Sequence, residues 1–330
     1  MDRREGVCPP LIGPSEDRSV FRVSEVSVGV YGGPTSPLQE ERSENERVFS
    51  FYPSRAAGTV WGEPVFLALE LPDALLDRLS PLADFDWILA HKVIDTSYLT
   101  YIHHYKKSTN YKVLDNSVNE LLEPVSLEYM VKAAEKIDPD IIVAPDWLLD
   151  REKTLEYLDK CEKIFPPDKI LPVIQGKNLQ ECVECMGTIL GKRYASFAVP
   201  FDLTCTRHDS LEKMAEARYS FIDSIETIVP NHVKIHLLGL TLPSEIDRYT
   251  EDWSNHKHVF SLDTGSPILH GLSHILLEEG PLLSKATPTM RQMERVGVPI
   301  VGKNLDGCLP LIYRNLAFLR KKMAGSVERS

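Results

Sequence analysis

The sequence predicts a (β/α)8 TIM barrel, and two observations predict it. Eight apolar runs between residues 65 and 262 mostly alternate with helical stretches, and such alternation implies parallel strands joined by helical crossovers. Four of the predicted strands also end in a carboxylate or an amide, at Asp115, Asp146, Gln175 and Asp263. Barrel enzymes build their active sites at the C-terminal ends of their strands. A doubly wound open sheet would use the same alternation, but no Gly-x-Gly-x-x-Gly follows an early strand.

Residues 1–60 are rich in Pro, Ser, Glu and Arg with little periodicity. They read as an irregular, partly disordered N-terminal extension, with one short strand possible at 27–31. The barrel domain is expected over 61–330. Its first strand is predicted at 65–71, followed by a short helix at 74–82 and a second strand at 87–91. The stretch 92–112 reads as a loop. A strand at 111–115 precedes a helix at 127–137, and a strand at 141–144 precedes a charged helix at 151–164. A strand at 170–175, a helix at 179–190, a strand at 195–199 and a long helix at 211–228 follow. The last units are a strand at 233–238, a helix at 244–253 and a strand at 258–262. Beyond Asp263 the pattern loosens into a C-terminal helical segment, with a helix at 270–279 and a clearer one at 309–323. The latter ends in Arg320-Lys321-Lys322, a basic last turn that suits the helix dipole.

The 330 residues are 43% hydrophobic and 26% charged, which is ordinary for a globular protein. No apolar run approaches the roughly 20 residues that span a bilayer. Met1 to Glu16 lacks the apolar core of a signal peptide, so a cytoplasmic protein is expected. The six cysteines are scattered, which argues against a disulfide framework. Cys182 and Cys185 stand alone in a helical pattern, where three-residue spacing simply shares a face, and no metal or other cofactor is expected. The formal net charge of −11 gives no general electrostatic attraction to nucleic acid, so any basic contacts must be local.

A buried aspartate can serve as nucleophile, as general acid or base, or as acceptor for ring N–H groups. A carboxylate nucleophile suits attack at a sugar anomeric carbon, and a second carboxyl group can move the proton of a departing or arriving base. A third, with a glutamine that both donates and accepts, can read a purine-like edge. Asp is also a good helix N-cap in loops that lead from strand to helix, so each residue alone has a structural explanation.

The ordered set Leu114-Asp115-Asn116-Ser117, Ala144-Pro145-Asp146, Val173-Ile174-Gln175-Gly176, His236-Leu237-Leu238-Gly239-Leu240 and Ser261-Leu262-Asp263 resembles the tRNA-guanine transglycosylase superfamily. It looks most like the phage and bacterial branch that inserts 7-deazaguanines into DNA. The Asp-Asn-Ser-x-x-Glu form of residues 115–120 favours that branch. The resemblance covers residues 65–270. It implies that Asp263 is the nucleophile, that Asp115 is the general acid and base, and that Asp146, Gln175 and Gly176 read the base. Leu238 and Gly239 would wall the pocket with backbone groups, and Glu120 matches the motif without an assigned role. Two departures stand out. The glycine-rich segment expected after the sixth strand reads Ala198-Val199-Pro200-Phe201-Asp202, and only Cys308 lies beyond Asp263 where the tRNA enzymes carry zinc ligands.

The resemblance therefore implies exchange of guanine in DNA for a base such as 7-cyano-7-deazaguanine, in a cytoplasm that would be the host's if the protein is phage-encoded. The partners implied are DNA, a free 7-deazaguanine base and either a helicase-like protein or further copies of the chain. The same chemistry on tRNA, a non-catalytic nucleic-acid-binding subunit and an unrelated barrel hydrolase are the alternatives. Two basic groups are candidates for gripping phosphates. One is the predicted loop with Tyr98, Tyr101, His103, His104, Tyr105, Lys106 and Lys107. The other comprises Lys285, Arg291, Arg295 and Lys303.

Overall fold

A computed structural model of the protein describes residues 65–192, 194–206, 209–250, 256–278 and 305–324. The extension at 1–60 and the group Lys285, Arg291, Arg295 and Lys303 lie outside these residues. Eight strands are present: β1 (Phe66–Leu69), β2 (Phe85–Leu89), β3 (Lys112–Asp115), β4 (Ile141–Val143), β5 (Ile170–Leu171), β6 (Ser196–Pro200), β7 (Lys234–Leu238) and β8 (Val259–Thr264). They form one sheet in the order β5-β4-β3-β2-β1-β8-β7-β6, and every neighbouring pair is parallel. The two ends of this order meet through a parallel bridge between Val173 and Ala198. There Ile174 N donates to Ala198 O at 2.9 Å and Ala198 N to Pro172 O at 2.8 Å. β5 is short because Pro172 has no N–H to give the ladder, and pairing resumes at the next residue. The protein is thus a (β/α)8 barrel.

The alternation of side chains along the strands sorts residues into two cores. Trp87, Val113, Val143, Leu171 and Ala198 pack together inside the barrel. Leu67, Ile88, Leu114, Ile142, Val199 and Leu237 face outward under the helices. Those helices include α1 (Leu76–Leu79), α2 (Ala90–Ile94), α3 (Leu99–Lys107), α4 (Val118–Leu121), α5 (Leu127–Ile137) and α6 (Arg151–Cys161). They continue with α7 (Leu179–Gly191), α8 (Leu211–Ile225), α9 (Pro243–Thr250), α10 (Ser266–Leu272) and α11 (Leu305–Met323). Side chains of Ser126, Asp150, Asn178 and Ser210 cap α5, α6, α7 and α8. The strand-end carboxylates are therefore not consumed in capping these helices.

The predicted loop at 92–112 is mostly helix. Tyr101 and Tyr105 are buried on one face of α3, and the Tyr101 hydroxyl accepts from Leu89 N at 2.8 Å. The interleaving of aromatic and basic residues is thus a helical period with the aromatics inward, while Lys106 and Lys107 stay exposed. The basic end of α11 is likewise more than dipole complementation. Arg320 donates to Asp84 at 2.7 Å and to the Leu82 carbonyl at 2.9 Å, and Lys322 pairs with Asp247. α10 spans Ser266–Leu272 rather than 270–279, and it starts where Gly265 and Pro267 end β8. Cys182 and Cys185 are buried on α7, and burial pushes both thiols up, to about 12 and about 11. No helix among the described residues is long and apolar enough to cross a membrane.

Candidate functional site

Strand register brings the expected site residues together. Asp115 ends β3 opposite Leu89 of β2, and Asp263 in β8 lies opposite Ala68 of β1. A pocket at these strand ends is lined by Asp115, Asp146, Gln175, Leu238, Gly239 and Asp263, with Trp87, Phe201 and Leu240 among its other walls. Six carboxylates line it, those of Glu70, Asp115, Glu120, Asp146, Asp202 and Asp263, and among the described residues no Lys or Arg does.

Asp263 is 1% exposed. Its Oδ1 accepts from Gly239 N at 2.8 Å and faces His236 Nε2 at 3.1 Å. No hydrogen bond among the described residues reaches its Oδ2. The geometry depends on a bulge where the β7–β8 register shifts between Ile235 and His236. The extra residue sets His236 opposite Ser261, and His236 Nδ1 lies 2.8 Å from Ser261 Oγ. The imidazole stacks on Trp87, with ring centroids 4.9 Å apart and planes at 11°.

Asp115 Oδ2 accepts from Ser117 N at 2.8 Å, a turn closed by Ser117 in the left-handed region at φ 62°. Burial pushes the Asp115 carboxyl well above the usual carboxylate range, and the charge of Glu120 adds to it, with smaller help from Asp263 and Asp146. Both effects favour the protonated form of Asp115.

Asp146 is held from both sides. Asn116 Nδ2 donates to its Oδ1 at 2.8 Å, and Gln175 Nε2 donates to its Oδ2 at 2.7 Å. Asn116 also donates to Ala144 O and accepts from Val118 N, so its amide orientation is set by three partners. Gln175 Oε1 accepts from Leu149 N at 3.1 Å. Burial raises Asp146 to about 6, against the two amide donors that pull it down. Each carboxylate oxygen can accept one bond more, so the Asp146–Gln175 pair can face a ring edge with acceptors and donors together.

Leu238 and Gly239 line the pocket as expected, and the contacts qualify the roles of these and two further sets of residues. The Leu238 carbonyl accepts from Phe201 N at 2.9 Å and from Arg218 Nη1 at 2.8 Å, and the Gly239 N–H is spent on Asp263. These two backbone groups brace the wall and the carboxylate. Gly176 is not part of the lining; a Cβ there would lie 2.7 Å from Cys182 N and 2.9 Å from Glu181 C, so it serves the close approach of α7. Lys106 and Lys107 end α3, just before the chain enters β3 at Lys112, and thus lie at the N-terminal end of the barrel, away from the pocket.

Sequence reasoning gave no role to His236, Trp87, Asn116 or Arg218. Arg218 is fully buried and pairs with Glu245 through two contacts of 2.7 Å, while Tyr249 also donates to Glu245. Inward parity with Leu238 was the available signal for His236. Pro200, Phe201 and Asp202 all line the pocket. No protein-family model matches the chain, and no curated protein matches it.

Proposed function

We propose that the protein is a guanine transglycosylase that exchanges guanine in DNA for a 7-deazaguanine base. The observation that carries this reading is the unlike preparation of two carboxyl groups in one pocket. Asp263 has one oxygen braced and the other open, as a nucleophile needs. Asp115 is buried beside Glu120, which favours its protonated form, as an acid for the leaving base needs. In the first step Asp263 Oδ2 bonds to the sugar C1′ while the glycosidic C–N bond breaks. Its electron pair leaves with guanine, which takes the Asp115 proton. In the second step Asp115 accepts the ring N–H proton of the incoming base. That nitrogen bonds to C1′, and the C1′–Oδ2 pair returns to Asp263.

The Asp146–Gln175 pair suits the reading of a purine-like edge. The anionic lining disfavours phosphate, so a base enters while the backbone stays outside, and a base within a duplex must be flipped out or its strand opened. The absence from the sequence of the zinc ligands carried by the tRNA enzymes favours DNA over tRNA. The test is nucleoside analysis of DNA and tRNA from cells that express the protein and receive the deazaguanine precursor. Modified deoxynucleoside in DNA supports the proposal. Modification in tRNA alone redirects it to tRNA, and modification in neither refutes it.

A further inference from the structure

Resting on the transglycosylase reading, we infer that His236 is a positioning residue which selects Oδ2 of Asp263 as the attacking oxygen and eases its later release from the sugar. His236 touches no pocket space of its own. It reaches the reaction only through Asp263, by Nε2 at 3.1 Å from Oδ1.

The ring is placed from three sides. Ser261 Oγ is 2.8 Å from Nδ1, Trp87 covers one face, and Phe85 meets it edge-on with centroids 6.3 Å apart. The partners assign the tautomer. A carboxylate oxygen can only accept, so Nε2 carries the proton. Nδ1 then accepts from the Ser261 hydroxyl. All this is buried, with His236 and Ser261 each 1% exposed, so water does not compete for these bonds.

Two donors on Oδ1, the Gly239 N–H and the His236 Nε2–H, leave Oδ2 as the oxygen able to bond to carbon. In the covalent state Oδ2 becomes the ester oxygen and Oδ1 the carbonyl oxygen. A carbonyl accepts more weakly than a carboxylate. Both hydrogen bonds therefore strengthen as the C1′–Oδ2 bond breaks and its electron pair returns to the carboxylate. An interaction that grows in this direction speeds release of the ester. Without it, the ester should form and persist.

The experiment compares wild type, His236→Phe and His236→Gln. Phenylalanine keeps a ring on Trp87 but has no donor, and glutamine restores one. Each is assayed for guanine exchange into an oligonucleotide and for the fraction trapped as a denaturant-stable adduct. In His236→Phe, exchange should fall roughly ten- to hundred-fold, a modest share of what losing one preorganised donor can cost. The trapped fraction should rise above wild type, and His236→Gln should recover part of the exchange. Unchanged exchange in His236→Phe overturns the inference, as does proportional loss of exchange and adduct in both variants, which marks a structural role. Nitrogen-15 spectra of wild-type His236 give a readout independent of activity and of variant folding. Protonation at Nδ1 instead of Nε2 overturns the assignment even if exchange is found. A wild type with the expected tautomer but neither exchange nor adduct refutes the transglycosylase reading, and the role in release with it.

Discussion

The amide of Gly239 donates to Asp263 Oδ1 at 2.8 Å from a backbone in the left-handed region, at φ 70°. That conformation turns the chain at the end of β7 so that an N–H points into the pocket rather than along the sheet. A Cβ at this position would meet only Phe201 Cβ, at 4.0 Å, so alanine faces conformational strain and no clash. Gly239→Ala should cost about 1 kcal/mol of stability in urea melts. Exchange should fall at least tenfold, beyond what that small loss of folded protein explains. A variant with full activity would show that the bond to Asp263 does not matter.

Asp115→Asn imitates the protonated acid that burial already favours. Its stability at pH 7 should stay within about 1 kcal/mol of wild type, since the Ser117 N–H keeps an oxygen acceptor and no charge is lost from the fold. Exchange should nonetheless drop by a factor on the order of 100 to 10,000, the range for losing a general acid. A large loss of stability, read from thermal melts, would show that the Asp115 carboxyl is ionised in the folded state.

Asp146 gives a pH signature with two opposite signs. Its folded value is raised from 3.8 to about 6. Between these values the folded protein holds a proton that the unfolded chain has lost, so stability gains as pH falls through 6 and is lost as pH rises. Base binding should go the other way, because protonation turns one acceptor into a donor. Affinity for the free base, measured by calorimetry, should weaken about tenfold per pH unit below 6. Asp146→Asn should bind weakly at every pH and lack this limb. A flat affinity profile in wild type would remove Asp146 from base recognition.

The Arg218–Glu245 pair is buried on both sides, and it carries the Leu238 carbonyl behind the pocket wall. Arg218→Met should destabilise the protein by about 3–5 kcal/mol, because Glu245 is left as an unpaired buried charge. The double replacement Arg218→Met with Glu245→Gln should recover much of that. Equal losses in the single and double variants, in denaturant titrations, would contradict this account of the pair.

The barrel was legible because its signals are local. Strand–helix alternation, and the proline and glycine breaks after the strands, lie within a few residues of the elements they define. The strand-end positions of Asp115, Asp146, Gln175 and Asp263 were legible for the same reason. The partners of Asp146 and Asp263 were not, because those come from other strands and loops. His236 meets Asp263 across 27 residues of sequence, and Arg218 meets Leu238 across 20. Leu238 and Gly239 line the pocket, but the partners of their backbone groups lie in distant elements. The stretch at 92–112 misled through composition: Tyr101 and Tyr105 are four residues apart, which is one helical face, and the lysines beside them made that face resemble a nucleic-acid surface. Gly176 was read for chemistry when its need is space for α7.

The most direct test of the whole account is adduct trapping with Asp263→Asn. The asparagine keeps the size of the side chain and removes the anionic oxygen. Wild type and variant are incubated with a guanine-containing oligonucleotide, denatured, and examined for protein bound covalently to DNA. Wild type should trap a fraction of the oligonucleotide and exchange labelled guanine. Asp263→Asn should bind the oligonucleotide with similar affinity, form no adduct and exchange at background. An adduct that persists in Asp263→Asn, or exchange near the wild-type rate, would contradict the role of Asp263 and leave Asp115 or Asp146 as the nucleophile to test.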